Sequence, residues 1–304
     1  MGLPLSGPQS VLRGVRFNCR CDDSSSVIRL TALSRSIWEA TPGWLIEPAA
    51  VVTAFGGATA LLFVLSLLYW LDERRSTATV VSYAFVALAV VILLKAAIGV
   101  GRPPASVRSI PLANDPYGFP SGHAVAAVVV YGGLATVRDR LDDARVVAAV
   151  ALAVTLVALS RVVLGLHYLG DVLVGAALGA VVLGACWRFV GRRPGRGFLV
   201  AGVVAVGAVL VTGGSSESIL AFGGSAGGAV GSRWIDAASG LRSRLDGAIL
   251  AAVGVPYALV LDRAGEAVAP PLAAVVYAAL VAGILLLPVA VDRLPLSADR
   301  TAGA

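Results

Sequence analysis

Charged residues are scarce in this chain, and their scarcity excludes an ordinary soluble globular domain. They make up 14% of the 304 residues, whereas soluble domains average about 25%. Hydrophobic residues reach 58%, and the mean hydropathy is +0.86. Several apolar runs approach or exceed the roughly 20 residues with which an α-helix spans a bilayer. The composition therefore predicts an all-α fold, a polytopic transmembrane helical bundle.

Lysine and histidine are rarer still. Among 24 basic residues Lys95 is the one lysine, and the two histidines are His123 and His167. The net charge of +6 thus comes almost entirely from arginine. No basic run interleaved with aromatic residues lies on a soluble domain. The basic charge therefore indicates membrane topology and contact with lipid headgroups, and it does not indicate a nucleic-acid partner.

Cysteine is too sparse for a disulfide framework, with three residues in the whole chain. Cys186 falls in an apolar segment and is expected to be a small core residue. Cys19 and Cys21 are spaced as a metal pair, but no histidine lies near them. The cysteines therefore give no reason to expect a metal or another cofactor.

A polar N-terminal tail, residues 1–44, precedes the first apolar segment. No continuous apolar run follows its first charges, so it is not a normal signal peptide. Its first letters, MGLPLS, match a myristoylation signal only weakly. The tail is expected to be disordered or to lie on the membrane surface.

The rest of the chain is predicted to be a helical core followed by a C-terminal extension. Residues 213–304 contain one clear membrane helix, 271–291, and two doubtful ones, 219–230 and 249–261. The core, residues 45–212, is expected to contain six membrane helices: 46–71, 80–100, 122–137, 146–164, 172–190 and 197–212.

Arginine is distributed unevenly between alternate loops. Loops 72–79, 138–145 and 191–196, together with Arg188, hold nine arginines, whereas the opposite loops hold Arg102, Arg108 and Arg161. Cytoplasmic loops carry the excess of basic residues. We therefore predict a multi-pass protein of the cell membrane whose two histidines lie on the extracytoplasmic face. The tail would share that face, although its five arginines argue against the placement.

Residues 160–171, S-R-V-V-L-G-L-H-Y-L-G-D, carry the clearest chemistry. His167 and Asp171 are four residues apart and share a face if the segment is helical. An aspartate held against one imidazole nitrogen fixes the tautomer and leaves the other nitrogen free to attack. Arg161 is suited to hold an anion for that attack. We predict that His167 is a nucleophile for phosphate; a metal pair and a purely structural His–Asp bond are the alternatives.

Two further patches are predicted to meet the first. Lys95 and Arg102 are close to two helical turns apart and point the same way if the helix continues; the alternative is a snorkelling pair at the membrane surface. Ser121 is a natural N-cap, and the N–H groups of a helix start attract an anion. Gly122 lets a phosphate approach the backbone, and His123 is placed to give a proton to a leaving oxygen. The alternative there is a capped helix with an interfacial histidine.

Taken together, the three patches favour an anion site. Ionisable residues near a bilayer are costly and usually functional. The single lysine and both histidines of the chain fall within these patches, on one predicted face. The neighbouring cations repel a metal ion and suit an oxyanion.

The pattern K-x6-R-P, P-S-G-H and S-R-x5-H-x3-D resembles the three-part signature of the type-2 phosphatidic acid phosphatase superfamily. That superfamily includes lipid phosphate phosphatases, undecaprenyl-diphosphate phosphatases, glucose-6-phosphatase and vanadium haloperoxidases. All eleven fixed letters are present in order between Lys95 and Asp171. The tail and everything after about residue 212 lie outside the resemblance. It implies a six-helix phosphatase core with extra C-terminal helices.

The resemblance also implies a role for each matching residue. His167 attacks phosphorus and becomes a phosphohistidine, and Asp171 orients it. His123 protonates the leaving alkoxide and then activates the water that releases phosphate. No metal or other cofactor is implied. Five residues bind the phosphoryl oxygens and stabilise the transition state: Lys95, Arg102, Ser121, Gly122 and Arg161.

The expected function is that of a metal-independent integral-membrane phosphatase acting on a lipid phosphate or a polyprenyl diphosphate. One alternative is a lipid phosphotransferase of the same fold. Another is a non-catalytic anion-binding membrane protein or transporter, against which the complete His–His–Asp set argues. A vanadium haloperoxidase is disfavoured because those relatives are soluble. The expected partners are the substrate and membrane lipids; the sequence indicates no oligomeric state.

Overall fold

The computed structural model describes residues 23–111, 116–237 and 244–293, and the regular elements in these ranges are all helices. The N-terminal letters MGLPLS, Cys19 and Cys21 lie outside the described residues. The twelve helices of these ranges are α1 (Asp23–Ile28), α2 (Thr31–Ala40), α3 (Ile46–Ala54), α4 (Ala58–Leu71), α5 (Arg74–Ile98), α6 (Gly122–Val137), α7 (Ala144–Val163), α8 (Leu169–Val190), α9 (Pro194–Thr212), α10 (Ser216–Gly231), α11 (Arg244–Ala267) and α12 (Pro270–Asp292).

The predicted polytopic helical bundle is confirmed. In the described part of the chain, six helices are long and apolar enough to cross a membrane: α5, α7, α8, α9, α11 and α12. Helix α5 lies at the centre of the bundle. Of its apolar stretch 72% is buried inside the protein, whereas the share is 28–39% in the other five helices. Local signals fix the ends of α9, which begins with Pro194 in its first turn and ends at Gly213 with φ of 66°.

The first predicted span, 46–71, is not one straight helix. It breaks between α3 and α4, whose axes are bent by 53°. The hydroxyl of Tyr131 on α6 donates to the carbonyl of Phe55 at the break, at 2.8 Å. The break brings Gly56 against α6 and α7, where a Cβ would lie 2.5 Å from Val157 Cγ1. The apolar run of the sequence continues through the break, and the pair Gly56 and Gly57 is its local mark.

The two doubtful C-terminal segments differ in length. The segment at 249–261 belongs to α11, whose 24 residues make it a membrane-span candidate. The segment at 219–230 belongs to the 16-residue α10, which is rich in glycine because it packs closely on α12. A Cβ on Gly223 would lie 2.3 Å from the Ala274 carbonyl oxygen, and one on Gly227 would lie 2.0 Å from that of Ala278.

The arginine-rich loops meet at one end of the bundle. Arg138 pairs with Asp72 at 2.7 Å, and Arg192 pairs with Asp139. These ion pairs join the loops that follow α4, α6 and α8. Cys186, buried to 3% exposure in the core, is the small core residue that was expected.

Disorder is the wrong expectation for residues 23–44 of the tail. Helices α1 and α2 lie at the other end of the bundle, on the loop between α7 and α8. The indole Nε1 of Trp38 donates to the carbonyl of Val162 at 2.6 Å, and the backbone N–H of Leu169 donates to Ser34 Oγ at 2.8 Å. Backbone groups in the helix ends on both sides of this loop therefore bond to the N-terminal segment.

Candidate active site

A cavity of about 250 Å³ brings the three sequence patches together. Of the eight predicted site residues, six line this cavity, and the other two, Ser121 and Asp171, are fully buried beside it. The backbone N–H of Ser121 donates to the carbonyl of Asp171 at 3.0 Å, which ties the second patch to the third. The six residues that line the polar end of the cavity are Lys95, Arg102, Gly122, His123, Arg161 and His167.

Lys95 and Arg102 reach the cavity by a route different from the predicted one. Helix α5 ends at Ile98, and Gly99 turns the chain with φ of 69°, so no continuous helix carries both side chains. Gly101 instead pairs with Tyr117 in an antiparallel bridge across the loop between α5 and α6. The loop, and not helical periodicity, returns Arg102 to the cavity.

The two ring nitrogens of His167 have different partners. Nδ1 lies 2.7 Å from the carbonyl oxygen of Gly118, which only accepts hydrogen bonds, so Nδ1 carries the proton. Arg102 Nη1 lies 3.1 Å from Nε2 and only donates, so Nε2 is unprotonated. His167 thus presents a lone pair on Nε2 beside Arg102.

The predicted hydrogen bond from His167 to Asp171 is absent. Asp171 Oδ2 lies 3.6 Å from His167 Nδ1, which is beyond hydrogen-bonding distance. The carbonyl of Gly118 fixes the tautomer in its place. Gly118 was missed from the sequence because any residue supplies a backbone carbonyl, and no side chain signals its use.

His167 is held in its neutral form. Its side chain is 1% exposed, and this burial is the main cause that lowers its pKa to about 4. The nearby guanidinium groups of Arg161 and Arg102 act in the same direction, while Asp171 acts in the opposite one. A neutral imidazole has the free electron pair that a nucleophile needs.

Arg161 is fixed by a residue that sequence reasoning missed. Its side chain is buried, and Nη1 donates to Thr53 Oγ1 on α3 at 3.0 Å. A lone threonine in an apolar segment has no pattern that would single it out. The contact joins the first membrane segment to the cationic face of the cavity.

The start of α6 lies where the sequence predicted, but Ser121 does not cap it with its side chain. Ser121 occupies the N-cap position with φ of −72° and ψ of 113°, and its hydroxyl makes no capping hydrogen bond. Among the described residues its Oγ has no hydrogen-bond partner, although it is fully buried. A buried hydroxyl without a partner is costly. The Ser121 hydroxyl is therefore available to a ligand.

His123 lies against the break between α3 and α4. An ideal Cβ on Gly56 would come within 3.2 Å of His123 Cβ, and one on Gly57 within 3.6 Å of its Nε2. Both glycines leave space that a side chain would fill. The first membrane segment thus shapes the position of the second histidine.

Arg29, on the N-terminal segment, is the main site residue that the sequence did not reveal. Its Nε donates to Asp171 Oδ1 at 2.7 Å and its Nη2 donates to Asp171 Oδ2 at 2.9 Å. Nη2 also donates to the carbonyl of Gly101 at 3.0 Å, and the guanidinium lies 4.4 Å from the ring centre of Tyr168. Arg29 is one of five arginines in the tail, and no spacing rule relates it to a residue 142 positions later.

Away from the charged end, the cavity has mostly apolar walls. Asp262 on α11 and Glu217 on α10 also reach it, so the C-terminal extension contributes to the lining. The apolar lining includes side chains from α4 and α5: Leu61, Leu62, Leu65, Phe85, Leu88 and Ile92. Such a cavity offers charge to one end of a ligand and hydrocarbon to the other.

Three or more His, Cys, Asp or Glu side chains do not converge anywhere in residues 23–111, 116–237 and 244–293. His167 and Asp171 thus have no third such side chain beside them within these ranges. On its cavity side His167 meets the guanidinium of Arg102 instead.

Comparison with known proteins yields one family and two solved structures. Residues 76–194, which contain all eight predicted site residues, match the model of the PAP2 superfamily. The first transmembrane PAP2 type phosphatidylglycerolphosphate phosphatase from Bacillus subtilis aligns at 23% identity and a TM-score of 0.47, covering 57% of this chain and 88% of its own. LpxE of Aquifex aeolicus aligns at 20% identity and a TM-score of 0.44, covering 52% and 94%. No curated protein matches the chain.

Proposed function

We propose, starting from the membership of residues 76–194 in the PAP2 superfamily, that this membrane protein is a phosphatase of a lipid phosphate or diphosphate. In the proposed mechanism a phosphohistidine forms on His167 and no metal takes part. The observation that carries the proposal is the lone pair of His167 Nε2, which lies beside Arg102 at the charged end of a largely apolar cavity.

The charged end is suited to a phosphoryl group. Lys95, Arg102 and Arg161 supply positive charge without a metal ion, and arginine binds phosphate through two parallel hydrogen bonds. The Ser121 hydroxyl supplies a further donor. In this structure Arg102 donates to His167 Nε2. A bound phosphoryl oxygen takes over that hydrogen bond and frees the electron pair for attack.

The reaction then follows in two displacements. His167 Nε2 bonds to phosphorus while the bond from phosphorus to the leaving oxygen breaks. His123, which takes up a proton when the anionic phosphoryl group binds beside it, gives that proton to the leaving oxygen. His123 next accepts a proton from water as the water oxygen bonds to phosphorus. The P–N bond breaks, its electron pair returns to Nε2, and phosphate leaves. Cations fixed around the phosphoryl group stabilise both transition states.

The substrate class follows from the other end of the cavity. Its apolar lining from α4 and α5 suits the hydrocarbon chain of a membrane lipid, which buries its chain while the phosphate meets the cations. We therefore assign a lipid phosphate or polyprenyl diphosphate as substrate, with residues 45–212 as the catalytic core. The C-terminal extension, residues 213–304, contributes Glu217 and Asp262 to the lining.

The test is phosphate release by the purified full chain in detergent with EDTA present. Phosphatidate and a polyprenyl diphosphate are the substrates, and His167→Ala is compared with wild type. An Arg145→Gln variant, changed at an exposed position beside the ion-paired loop, is the matched control. We expect wild type and control to release phosphate and His167→Ala to lose at least about a thousandfold. Release that persists in His167→Ala contradicts the phosphohistidine route, and release that requires added metal contradicts the cation site. Transfer only to an added alcohol points to the phosphotransferase.

A further inference from the structure

We infer that Arg29 is a positioning residue for the nucleophile: it holds Asp171 in a two-point ion pair that keeps this carboxylate from hydrogen-bonding His167. The N-terminal segment, residues 23–45, thereby controls how long the phosphohistidine persists. The inference rests on the proposed function and adds a residue outside the segment that matches the PAP2 superfamily.

The carboxylate of Asp171 is already occupied by other donors. Oδ1 accepts from Arg29 Nε at 2.7 Å. Oδ2 accepts from Arg29 Nη2 at 2.9 Å and from the backbone N–H of Tyr168 at 3.0 Å. His167 Nδ1 lies 3.6 Å from Oδ2 and donates to Gly118 at 2.7 Å instead. Arg29 thus takes the place that a histidine would otherwise occupy on this aspartate.

The ion pair lies where charge is poorly screened. Asp171 is fully buried and the side chain of Arg29 is 13% exposed. In such surroundings a carboxylate depends strongly on its partner, because water does not replace a lost cation. Arg29 therefore offsets part of the negative charge that Asp171 directs at His167.

Arg29 is fixed in orientation by contacts with the start of α8. The backbone N–H of Gly170 donates to the Arg29 carbonyl at 3.0 Å, next to the side-chain ion pair. A Cβ on Gly170 would lie 2.2 Å from the Ile28 carbonyl oxygen, so this close approach needs a glycine. Tyr168 stacks on the guanidinium from the other side. Arg29 is thus held at both its backbone and its side chain.

The charge around His167 is therefore mainly positive. Asp171 from α8 is the negative group next to His167, and Arg29 pairs with it. Glu217 from α10 and Asp262 from α11 line the same cavity. The cationic or titratable groups that face it from the remaining elements are Lys95 from α5, Arg102 from the loop after α5, His123 from α6 and Arg161 from α7.

This balance favours breakdown of the phosphoenzyme. Phosphorylation at Nε2 makes the imidazole ring cationic, because Nδ1 keeps its proton. A carboxylate bonded to Nδ1 would stabilise that cation and slow the loss of the phosphoryl group. With Asp171 held by Arg29, the ring is a better leaving group when water attacks phosphorus and the electron pair returns to Nε2.

The experiment compares Arg29→Gln, Arg29→Lys and Arg35→Gln in the full-length protein. Arg35 is an exposed arginine on α2 and serves as the matched control. Radiolabelled substrate and rapid acid-free quenching measure the phosphoenzyme level and its decay. In Arg29→Gln we expect the decay rate of the phosphoenzyme to fall about tenfold, with more phosphoenzyme at steady state. In Arg29→Lys we expect a smaller fall, because lysine keeps the positive charge and loses the two-point hydrogen bonding to Asp171.

A second readout needs no turnover. The chain has two histidines, so ¹⁵N-histidine NMR in micelles follows the His167 ring directly, with His123→Asn used for assignment. We expect the His167 pKa to rise by at least about one unit in Arg29→Gln and to stay unchanged in Arg35→Gln. If wild type releases no phosphate, the proposed function fails, and the NMR arm still tests the effect of Arg29 on His167.

An Asp171→Asn background decides whether Arg29 acts through the aspartate. We expect Arg29→Gln to leave the His167 titration unchanged in that background. A shift of the same size with and without Asp171 would overturn the inference. It is equally overturned if a folded Arg29→Gln or Arg29→Lys protein keeps the wild-type titration and phosphoenzyme decay.

Discussion

At the scale of single residues, the two ring nitrogens of His167 differ: Nδ1 carries the proton and Nε2 has the lone pair. A backbone carbonyl holds the proton of His167 Nδ1, and an arginine beside Nε2 keeps the electron pair free of a proton. The same burial that keeps the ring neutral ties the stability of the protein to pH.

The folded state is expected to lose stability in mild acid because of His167. Its pKa is lowered to about 4, whereas an unperturbed histidine titrates near about 6.5. The unfolded chain therefore takes up the proton first, and the stabilisation present above pH 6.5 is lost as the pH falls toward 4. Between pH 7 and pH 5 the loss from this group reaches about 2 kcal/mol. Thermal unfolding in detergent should show a larger fall for wild type than for His167→Asn; equal falls would contradict the prediction.

Ser121→Ala is expected to separate activity from stability. The Ser121 hydroxyl is buried and has no partner among the described residues, so its removal costs the fold nothing and adds up to about 1 kcal/mol. Loss of a donor to the transition state lowers kcat/KM about tenfold to a hundredfold. The control is Ser66→Ala, whose buried hydroxyl donates to the Leu62 carbonyl at 2.7 Å. That variant should lose stability and keep activity, and the opposite pattern in either variant would count against a ligand role for Ser121.

Some residues of the candidate site could be predicted from the sequence, and others could not. Lys95, Arg102, His123, Arg161 and His167 are side chains at fixed spacings, and the structure does bring them to one cavity. The carbonyl of Gly118 and the guanidinium of Arg29 are placed by tertiary contacts that leave no local pattern. The N-cap hydrogen bond that a serine at a helix start usually makes is absent at Ser121.

At the scale of the elements, the break between α3 and α4 matters most. By hydropathy, residues 46–71 form one continuous apolar run, so the sequence predicted a single span. The glycines at the break are explained only by what lies across from them on α6 and α7.

Gly56→Ala is expected to displace His123. The added Cβ would lie 2.5 Å from Val157 Cγ1 and 3.2 Å from His123 Cβ. Overpacking of this kind costs about 1–3 kcal/mol, and the shift of His123 should lower kcat more than it changes KM. Thermal unfolding and steady-state kinetics measure the two effects.

Two variants control this prediction. Gly184→Ala, in α8 with no atom within 4 Å of the new Cβ, should be neutral or stabilising by about 0.5–1 kcal/mol. Val157→Ala combined with Gly56→Ala should recover part of the lost activity. Additive losses in the double variant would show that the clash does not explain the defect.

At the scale of the whole molecule, the bundle has two chemically different ends. Arginine–aspartate pairs join the loops at one end, and the cavity, its loops and the N-terminal segment lie at the other. Alternation of arginine along the sequence predicted this separation, because each membrane helix reverses the direction of the chain. The contribution of Asp262 and Glu217 to the cavity was not predictable, since their helices have no motif.

The end that carries the cavity is expected to face the outside of the cell. Ala105 and Asp142 are both exposed, the first in the loop before α6 and the second in the loop before α7. With the native cysteines replaced, a membrane-impermeant maleimide should label Ala105→Cys in intact cells and label Asp142→Cys only after lysis. Labelling in the reverse order would place the cavity on the cytoplasmic side.

The pairing of Arg29 with Asp171 also determines when, during synthesis, the N-terminal segment can bind in place. The two residues are 142 positions apart, so the ribosome delivers Arg29 long before its partner exists. The N-terminal segment has to wait while α3 to α7 are synthesised. Gly170 and Asp171 then arrive together and receive both the backbone and the side chain of Arg29. Completion of this site is thus a late event in synthesis, and nascent chains that stop before α8 lack Gly170 and Asp171, which bind the backbone and the side chain of Arg29.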